Sequence, residues 1–596
     1  MSSQPAALDR RDWLLLVTIW AIAVLALVLR IAINGGDATL FTDTDDAMRM
    51  VVVRDFLGGQ GWYDLVQHRL NTPFGAEIHW SRLVDLPLAL LLALSGLLAG
   101  PAAGLFITGM AWPLLLLAVL LWLSARVTLE LVGREGLLAA LVLPILAPAI
   151  LAEFMPGRVD HHNVIVLLVM ASLLASLLAL RRPLWALLAG LIAATAMAVA
   201  VEALPGAVAA ILAFGLAYIF DAARAANLMR FGLGFAGGML AHLALSRPPG
   251  RWLEAACDMI SPVYALAALA VGAAYMLVWL LPAPKSAWWR FALLSVLGLG
   301  AAALVVLVYP QCLAGPYGEL DPWLREHWIA AIVEARPWHQ SLSQLPAYGI
   351  GVAVPVLLGM AACVLALWRE PQNRLQWLIL LVFIITTALI MLAQVRGARL
   401  AVMPAIPAAA WLIARARQAY LSRPGIRQAS ALVGSWLAAS GLMLMLGVGA
   451  MLMLVPQAPV EAMAEIRTGR AACLAPRAYE DLRALPPERI MSPIDLGSHI
   501  LLETPHAVVS APYHRNESGL LDTFRFLNGS PEQARAIATA RGLGLLVTCP
   551  GMPEMRGAGL DEPGAMLNRL ASGDLPDWLV DVSVSGPLKI YAILPE

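Results

Sequence analysis

The chain has 596 residues, of which 60% are hydrophobic and only 13% charged. A soluble protein of this size carries about a quarter charged residues, so a single large soluble core is excluded. Its 40 basic and 40 acidic residues cancel, which gives no electrostatic reason for a nucleic-acid partner.

In chain order, the first apolar run extends from Trp13 to about Ile33. It is too long for a cleaved leader, lacks a small-residue cleavage site and reads as a retained helix. Further apolar runs follow near 101–125, 136–153, 163–180, 184–201, 205–220, 231–247, 262–282, 290–309, 346–368, 375–394, 400–414 and 429–455. Runs near 20 residues recur along most of the length, which predicts a polytopic α-helical membrane protein with about thirteen spans. A shorter apolar piece at 86–99 suits an interfacial segment. Arginines and lysines recur in alternate short loops, as at Arg134, Arg181, Arg182, Arg224, Lys285, Arg369 and Arg415. That side is expected to be cytoplasmic, with the N-terminus, and the C-terminus lies outside. The outer side then receives the long loops 34–85, 154–162 and 310–345. It also receives a C-terminal region, 457–596, which is separate from the membrane domain 1–456. This region has ordinary polarity. Its runs at 507–509 and 545–547 suit strands and Pro531 to Arg541 suits a helix, giving an α/β domain. Cys473 and Cys549 both fall there; a disulfide and two buried thiols are both compatible with the sequence.

Polar residues gather on that outer side. Asp43, Asp45 and Asp46 sit just past the first span, and carboxylates this close repel unless they hold a cation or bind a cationic or hydroxylated ligand. In Pro156-Gly157-Arg158-Val159-Asp160-His161-His162, Asp and His are suitable ligands for a divalent ion. Adjacent residues on a helix diverge by about 100°, so the spacing favours Asp160 with His162 rather than with both histidines. The loop 310–345 contributes Glu334. Arg396 and Arg399 enter a late span from outside, where they either snorkel to headgroups or clamp a phosphate. The alternative class is a transporter, flippase or polymerase-type protein of surface polysaccharide assembly. Such a protein would place ionisable groups near the midplane of broken helices, whereas here they gather on one face.

Together these residues resemble the catalytic subunit of oligosaccharyltransferases, a GT-C-fold membrane glycosyltransferase family. The likeness is carried by Asp43 with Arg49 six residues on, and by Gly157-Arg158-Val159-Asp160-His161-His162, similar to a Gly-x-x-Asp-x-(Asp/Glu) pattern. It is also carried by Glu334 in Ala331-Ile332-Val333-Glu334-Ala335-Arg336-Pro337, and by Arg399 before Leu400-Ala401-Val402-Met403-Pro404. The resemblance implies a donor sugar on polyprenyl phosphate or pyrophosphate, embedded among membrane lipids, and a divalent cation, Mg²⁺ or Mn²⁺. It implies Asp43, Asp160, His162 and Glu334 as metal ligands and Arg399, with Arg396 second, on the donor phosphate. Asp43, with Asp45, Asp46 and Glu334, is implied in catalysis, at the outer face of a bacterial inner (plasma) membrane. The chain departs from the family at its Trp-Trp-Asp acceptor motif. Ser492-Pro493-Ile494-Asp495-Leu496-Gly497 keeps Asp495 and Gly497 and lacks both tryptophans, so the acceptor is a glycan, a lipid or a protein site.

Overall fold

The structure, a computed structural model, describes residues 7–34, 39–454, 468–556 and 564–595. The expected domain boundary at 456/457 lies outside the described residues. Among those described, ten helices are long and apolar enough to cross a membrane, and a bent pair, Ile426–Ala439 with Gly441–Met453, makes an eleventh. Two shorter apolar helices, His162–Leu178 and Leu184–Val199, pack within the same bundle. The chain is an integral membrane protein with a C-terminal sheet domain.

Three apolar runs differ from their sequence reading. The run 136–153 does not form one helix but two short pieces, Leu137–Val142 and Pro148–Leu151. Pro144 and Pro148 lack the N–H that a continuous helix needs there. The run 429–455 bends by 90°. At the bend the Ser440 side chain caps the second helix, and a Cβ on Gly441 would lie 2.4 Å from the Gly351 carbonyl oxygen. The third is Arg82–Ala99, here α3, which follows α1 (Arg10–Asn34) and α2 (Thr44–Leu57). By length and composition it qualifies as a span. Gly100, at φ +86°, turns it into α4 (Pro101–Leu131), and Ser95 Oγ bonds the Gly104 carbonyl at 3.0 Å. The Gly109 carbonyl in turn accepts the Gly157 N–H at 2.8 Å. The start of α3 and the first turns of α4 therefore stay at the end of the bundle where Asp85 and Gly157 lie. The far end of α4 leads to Arg134, which pairs with Asp9 and Asp12 at the start of α1. Gly109 and Arg134 are about 37 Å apart along a helical rise of 1.5 Å per residue, the depth of a bilayer.

The C-terminal domain is a five-stranded sheet of order β4-β3-β5-β7-β6, with β3 Arg489–Met491, β4 Ala507–Val508, β5 Leu545–Thr548, β6 Leu579–Asp581 and β7 Lys589–Ile593. β3 is parallel to both β4 and β5, and β7 runs antiparallel between β5 and β6. The helix Pro531–Arg541 begins with a Ser530/Gln533 capping box and ends on left-handed Gly542, the signals by which the sequence announces it.

The loop between α2 and α3 carries a two-stranded ribbon, β1 Val66–Gln67 with β2 Ala76–Glu77, and completes the edge of this sheet. Leu70 bridges Val508 in parallel, and the Val508 N–H donates to the Arg69 carbonyl at 2.8 Å. The Arg69 guanidinium donates to the carbonyls of Leu501, Thr504 and His506 at 2.9, 2.9 and 3.1 Å. Hydrogen bonds from a charged group contribute about 1.5–3 kcal/mol each, so Arg69→Ala is expected to destabilise the protein by several kcal/mol. A lowered thermal unfolding midpoint of the detergent-purified protein checks this; an unchanged midpoint contradicts it.

Candidate active site

The three aspartates after the first span do three different jobs. Asp43 is the N-cap of α2, and its Oδ1 accepts the Asp45 N–H at 3.0 Å. Its Oδ2 pairs with Arg158 at 2.7 Å. Asp46 is buried; its Oδ1 accepts the N–H groups of Val159 and Asp160 at 2.8 and 3.0 Å, and its Oδ2 pairs with Arg158 at 2.8 Å. The start of α2 and the turn 157–160 are thereby stitched together. Gly157 has φ +93°, and a Cβ there would lie 2.0 Å from the Leu40 carbonyl oxygen, so no other residue fits. Asp45 points elsewhere. Burial and the charges of Asp160, Asp43 and Glu334 push its carboxyl well above the usual range.

Arg49 does not touch Asp43, despite the spacing that suggests the pair. It is fully buried, bonds Asp85 at 2.7 Å and Asp160 at 3.0 Å, and lies 4.0 Å from the centre of the Trp80 ring. Asp160 also meets both histidines, with His161 Nδ1 at 2.6 Å from Oδ1 and His162 Nε2 at 3.2 Å from Oδ2. The expectation that only His162 would share its side is therefore corrected. Asp160 and His161 precede the helix His162–Leu178, in a turn to which the helical spacing does not apply. Burial opposes the charge of Asp160, but His161, His162 and Arg49 outweigh it and hold the carboxyl well below its usual range.

Asp160, His161 and His162 bring their ligand atoms within 4.8 Å of one another and could hold a metal ion. Asp160 Oδ2 and His162 Nδ1 are buried and make no well-aligned hydrogen bond, although each has an ion-pair partner, His162 Nε2 at 3.2 Å and Glu202 Oε2 at 3.3 Å. Asp43 and Glu334, the other expected ligands, stand outside this group: Arg158 takes Asp43, and Glu334 faces Arg399 at 3.8 Å.

The opposite wall depends on two carboxylates to which the sequence reading gave no role. Glu153 bridges Arg158 and Arg399, at 3.1 Å each. Glu202 lies between His162 and Arg396, at 3.3 Å each. Arg158, Glu153, Glu202, His161 and Arg49 are thus site residues beyond those expected. The available signal was a lone carboxylate at the end of an apolar run, as at Glu153 and Glu202. Arg399 Nη2 is buried and lacks a hydrogen-bond partner.

Three cavities meet here. A polar one of about 740 Å³ is lined by Asp43, Arg158, Glu334 and Arg399, and by Arg470 and Asp495 from the C-terminal domain. A groove of about 390 Å³ runs among Ile165, Leu204, Ile390 and Leu400. A smaller space of about 150 Å³ holds Asp45, His161, His162 and Trp80. Arg396 borders all three, and Arg399 borders the first two.

Asp495 lies on the helix Ile494–Glu503, and Gly497 permits its close approach, since a Cβ would lie 1.9 Å from the Ser510 carbonyl oxygen. The Asp495 N–H donates to Glu554 Oε1 at 3.0 Å. Burial and the Asp495 charge push the Glu554 carboxyl up to about 8.

Two outcomes follow from this geometry. Arg158→Ala leaves Asp43, Asp46 and Glu153 facing one another, at an expected cost of about 3–5 kcal/mol in unfolding free energy; wild-type stability would contradict it. Glu554 binds its proton more tightly folded than unfolded. Its contribution is complete below the unfolded pKa near 4.5 and is lost as pH rises through about 8. The thermal midpoint is expected to fall across that window, and Glu554→Gln to flatten the fall; parallel pH profiles for the two proteins would contradict it.

In sequence, no family model and no curated protein matches this chain; in structure, it resembles an archaeal oligosaccharyltransferase. AglB from Archaeoglobus fulgidus, in complex with an inhibitory peptide and a dolichol-phosphate, superposes with a TM-score of 0.65 at 14% identity, over 97% of this chain and 74% of that one. The Archaeoglobus fulgidus enzyme tethered to an acceptor peptide containing the NVT sequon gives 0.64 at 14% identity, over 98% and 75%. Its complex with Zn and sulfate gives 0.55 at 14% identity, over 97% and 74%. The fold of this chain is the GT-C fold of oligosaccharyltransferase catalytic subunits.

Proposed function

We propose that the protein is a membrane glycosyltransferase that moves a sugar or oligosaccharide from a polyprenyl phosphate or pyrophosphate to an acceptor at the extracytoplasmic face. The observation that carries this reading is the placement of Arg396 and Arg399 on both the apolar groove and the polar cavity. A polyprenyl tail fits among Ile165, Leu204, Ile390 and Leu400, with its phosphate at the boundary. There Arg399 Nη2 offers an unused donor, and guanidinium geometry suits phosphate. The dolichol-phosphate carried by the archaeal relative supports the same lipid class.

The acceptor enters from the side of Asp43 and Asp495. Its nucleophile attacks the anomeric carbon, the carbon–oxygen bond to the lipid phosphate breaks, and the phosphate leaves with the electron pair. Asp43, oriented by its cap bond and Arg158, receives the acceptor proton. Arg399 meets the charge that develops on the departing phosphate. Asp160, His161 and His162 would hold a divalent ion, with Asp45 beside them and Glu334 across the cavity. Two imidazoles and a carboxylate suit Mn²⁺ or Zn²⁺ better than Mg²⁺. When bound, such an ion acts as a Lewis acid toward phosphate oxygen.

The disulfides support the sidedness. Cys257–Cys312 joins two loops at the site end of the bundle, and Cys473–Cys549 lies in the C-terminal domain. Both belong in an oxidising compartment, whereas Arg134, Arg181 and Arg415 lie toward the other end.

Deleting the gene is expected to cause one lipid-linked glycan to accumulate, seen by mass spectrometry of membrane lipids. Wild-type protein should clear it, and Arg399→Ala should slow its consumption by about 10²–10³-fold. Lipid-linked glycans that do not change on deletion, or full complementation by Arg399→Ala, would sink the assignment.

A further inference from the structure

A second set of metal-ligating side chains lines the same small cavity as His161 and His162. His79 comes from the first outer loop, Asp258 from the turn before the helix Pro262–Leu280, and His514 from the C-terminal domain. One ligand atom from each lies within 4.8 Å of the other two. His514 Nε2 is 2.7 Å from Asp258 Oδ2, and the rings of His79 and His514 have their centres 4.7 Å apart. His79 Nδ1 is buried and has no hydrogen-bond partner. We propose that His79, Asp258 and His514 form a second metal site, for a divalent transition ion such as Zn²⁺, that fastens the C-terminal domain to the membrane domain.

The donor chemistry fits. Two imidazoles and one carboxylate favour Zn²⁺ and its neighbours over Mg²⁺ or Ca²⁺, and three protein ligands leave room for water. Asp258 is oriented from behind by Arg515, with Nε at 2.7 Å from Oδ2 and Nη2 at 2.8 Å from Oδ1. Ligating carboxylates commonly have such outer partners. Arg515 is also shared with Glu77, which takes Arg251 at 2.6 Å, so its charge is not spent on Asp258 alone. A cavity of about 410 Å³ opens on Asp258 and His514, and Glu77, Glu254, Glu319 and Glu517 also line it. Arg251 and Arg515 take Glu77 and Glu254, while Glu319 and Glu517 add further carboxylates along this route inward. The Cys257–Cys312 disulfide, one residue from Asp258, fixes that ligand's loop. This site shares no residue with Asp160, His161 and His162, and the proposal does not depend on glycosyl transfer.

The test uses full-length protein in detergent, stripped with chelator, reloaded with ZnCl₂, gel-filtered and assayed by elemental mass spectrometry. Wild type is expected to retain about one zinc more than His79→Gln or His514→Gln, one ion per three-ligand site. His68→Gln, at an exposed histidine of the same loop, should match wild type. Equal zinc in all four proteins overturns the proposal. A second measurement needs no variant: zinc should slow diethylpyrocarbonate modification of His79 and His514 in wild type, mapped by peptide mass spectrometry. Absence of protection overturns it as well.

Discussion

A carboxylate taken out of water must meet a counter-charge or give up its own, and this end of the molecule buries several. Arg158 is the counter-charge on which the rest depends. It reaches Asp43 and Asp46 at the start of α2 and Glu153 at the end of the broken run 136–153. Arg49 does the same one layer deeper, tying α2 to Asp85 on α3 and to Asp160. Asp43, the candidate metal ligands and, through Glu153, Arg399 are all fixed relative to these two guanidinium groups. Neither group can move without leaving a buried charge alone, so the site is rigid before any substrate arrives.

Much of the architecture was legible because membrane and capping physics act locally. A run of apolar residues must be a helix in lipid, and Ser530, Gln533 and Gly542 announce a helix between them. What escaped was the outcome of packing between distant segments. The pair Asp43 and Arg49 was legible as a spacing, yet the arginine on Asp43 is Arg158, more than a hundred residues away. His161 was set aside by a helical rule that holds only after the helix begins. Glu153 and Glu202 looked like the polar ends of apolar runs, and only the fold sets them between Arg158, Arg396 and Arg399. Cys312 falls in a loop read as outer, but nothing in the spacing pairs it with Cys257.

The segment around Asp495 departs from the Trp-Trp-Asp pattern of the family it resembles. Asp495 and Gly497 remain, and their role in the backbone is plain: Gly497 lets the helix lie against Ser510, which sets Asp495 at the cavity. In place of two indoles the neighbourhood supplies Glu554 and Arg470.

The bridge between Leu70 and Val508 also bears on how the protein is made. Its partners are separated by about 440 residues, roughly 20–90 s of synthesis at ordinary elongation rates. Through that interval the ribbon β1–β2 and Arg69 have no sheet to join, and the buried polar groups nearby stay open to water. The pocket that Asp43 and Asp495 share is thus assembled only when nearly the whole chain has emerged. A nascent protein halted earlier has only the membrane-domain walls of that pocket and lacks Arg470 and Asp495.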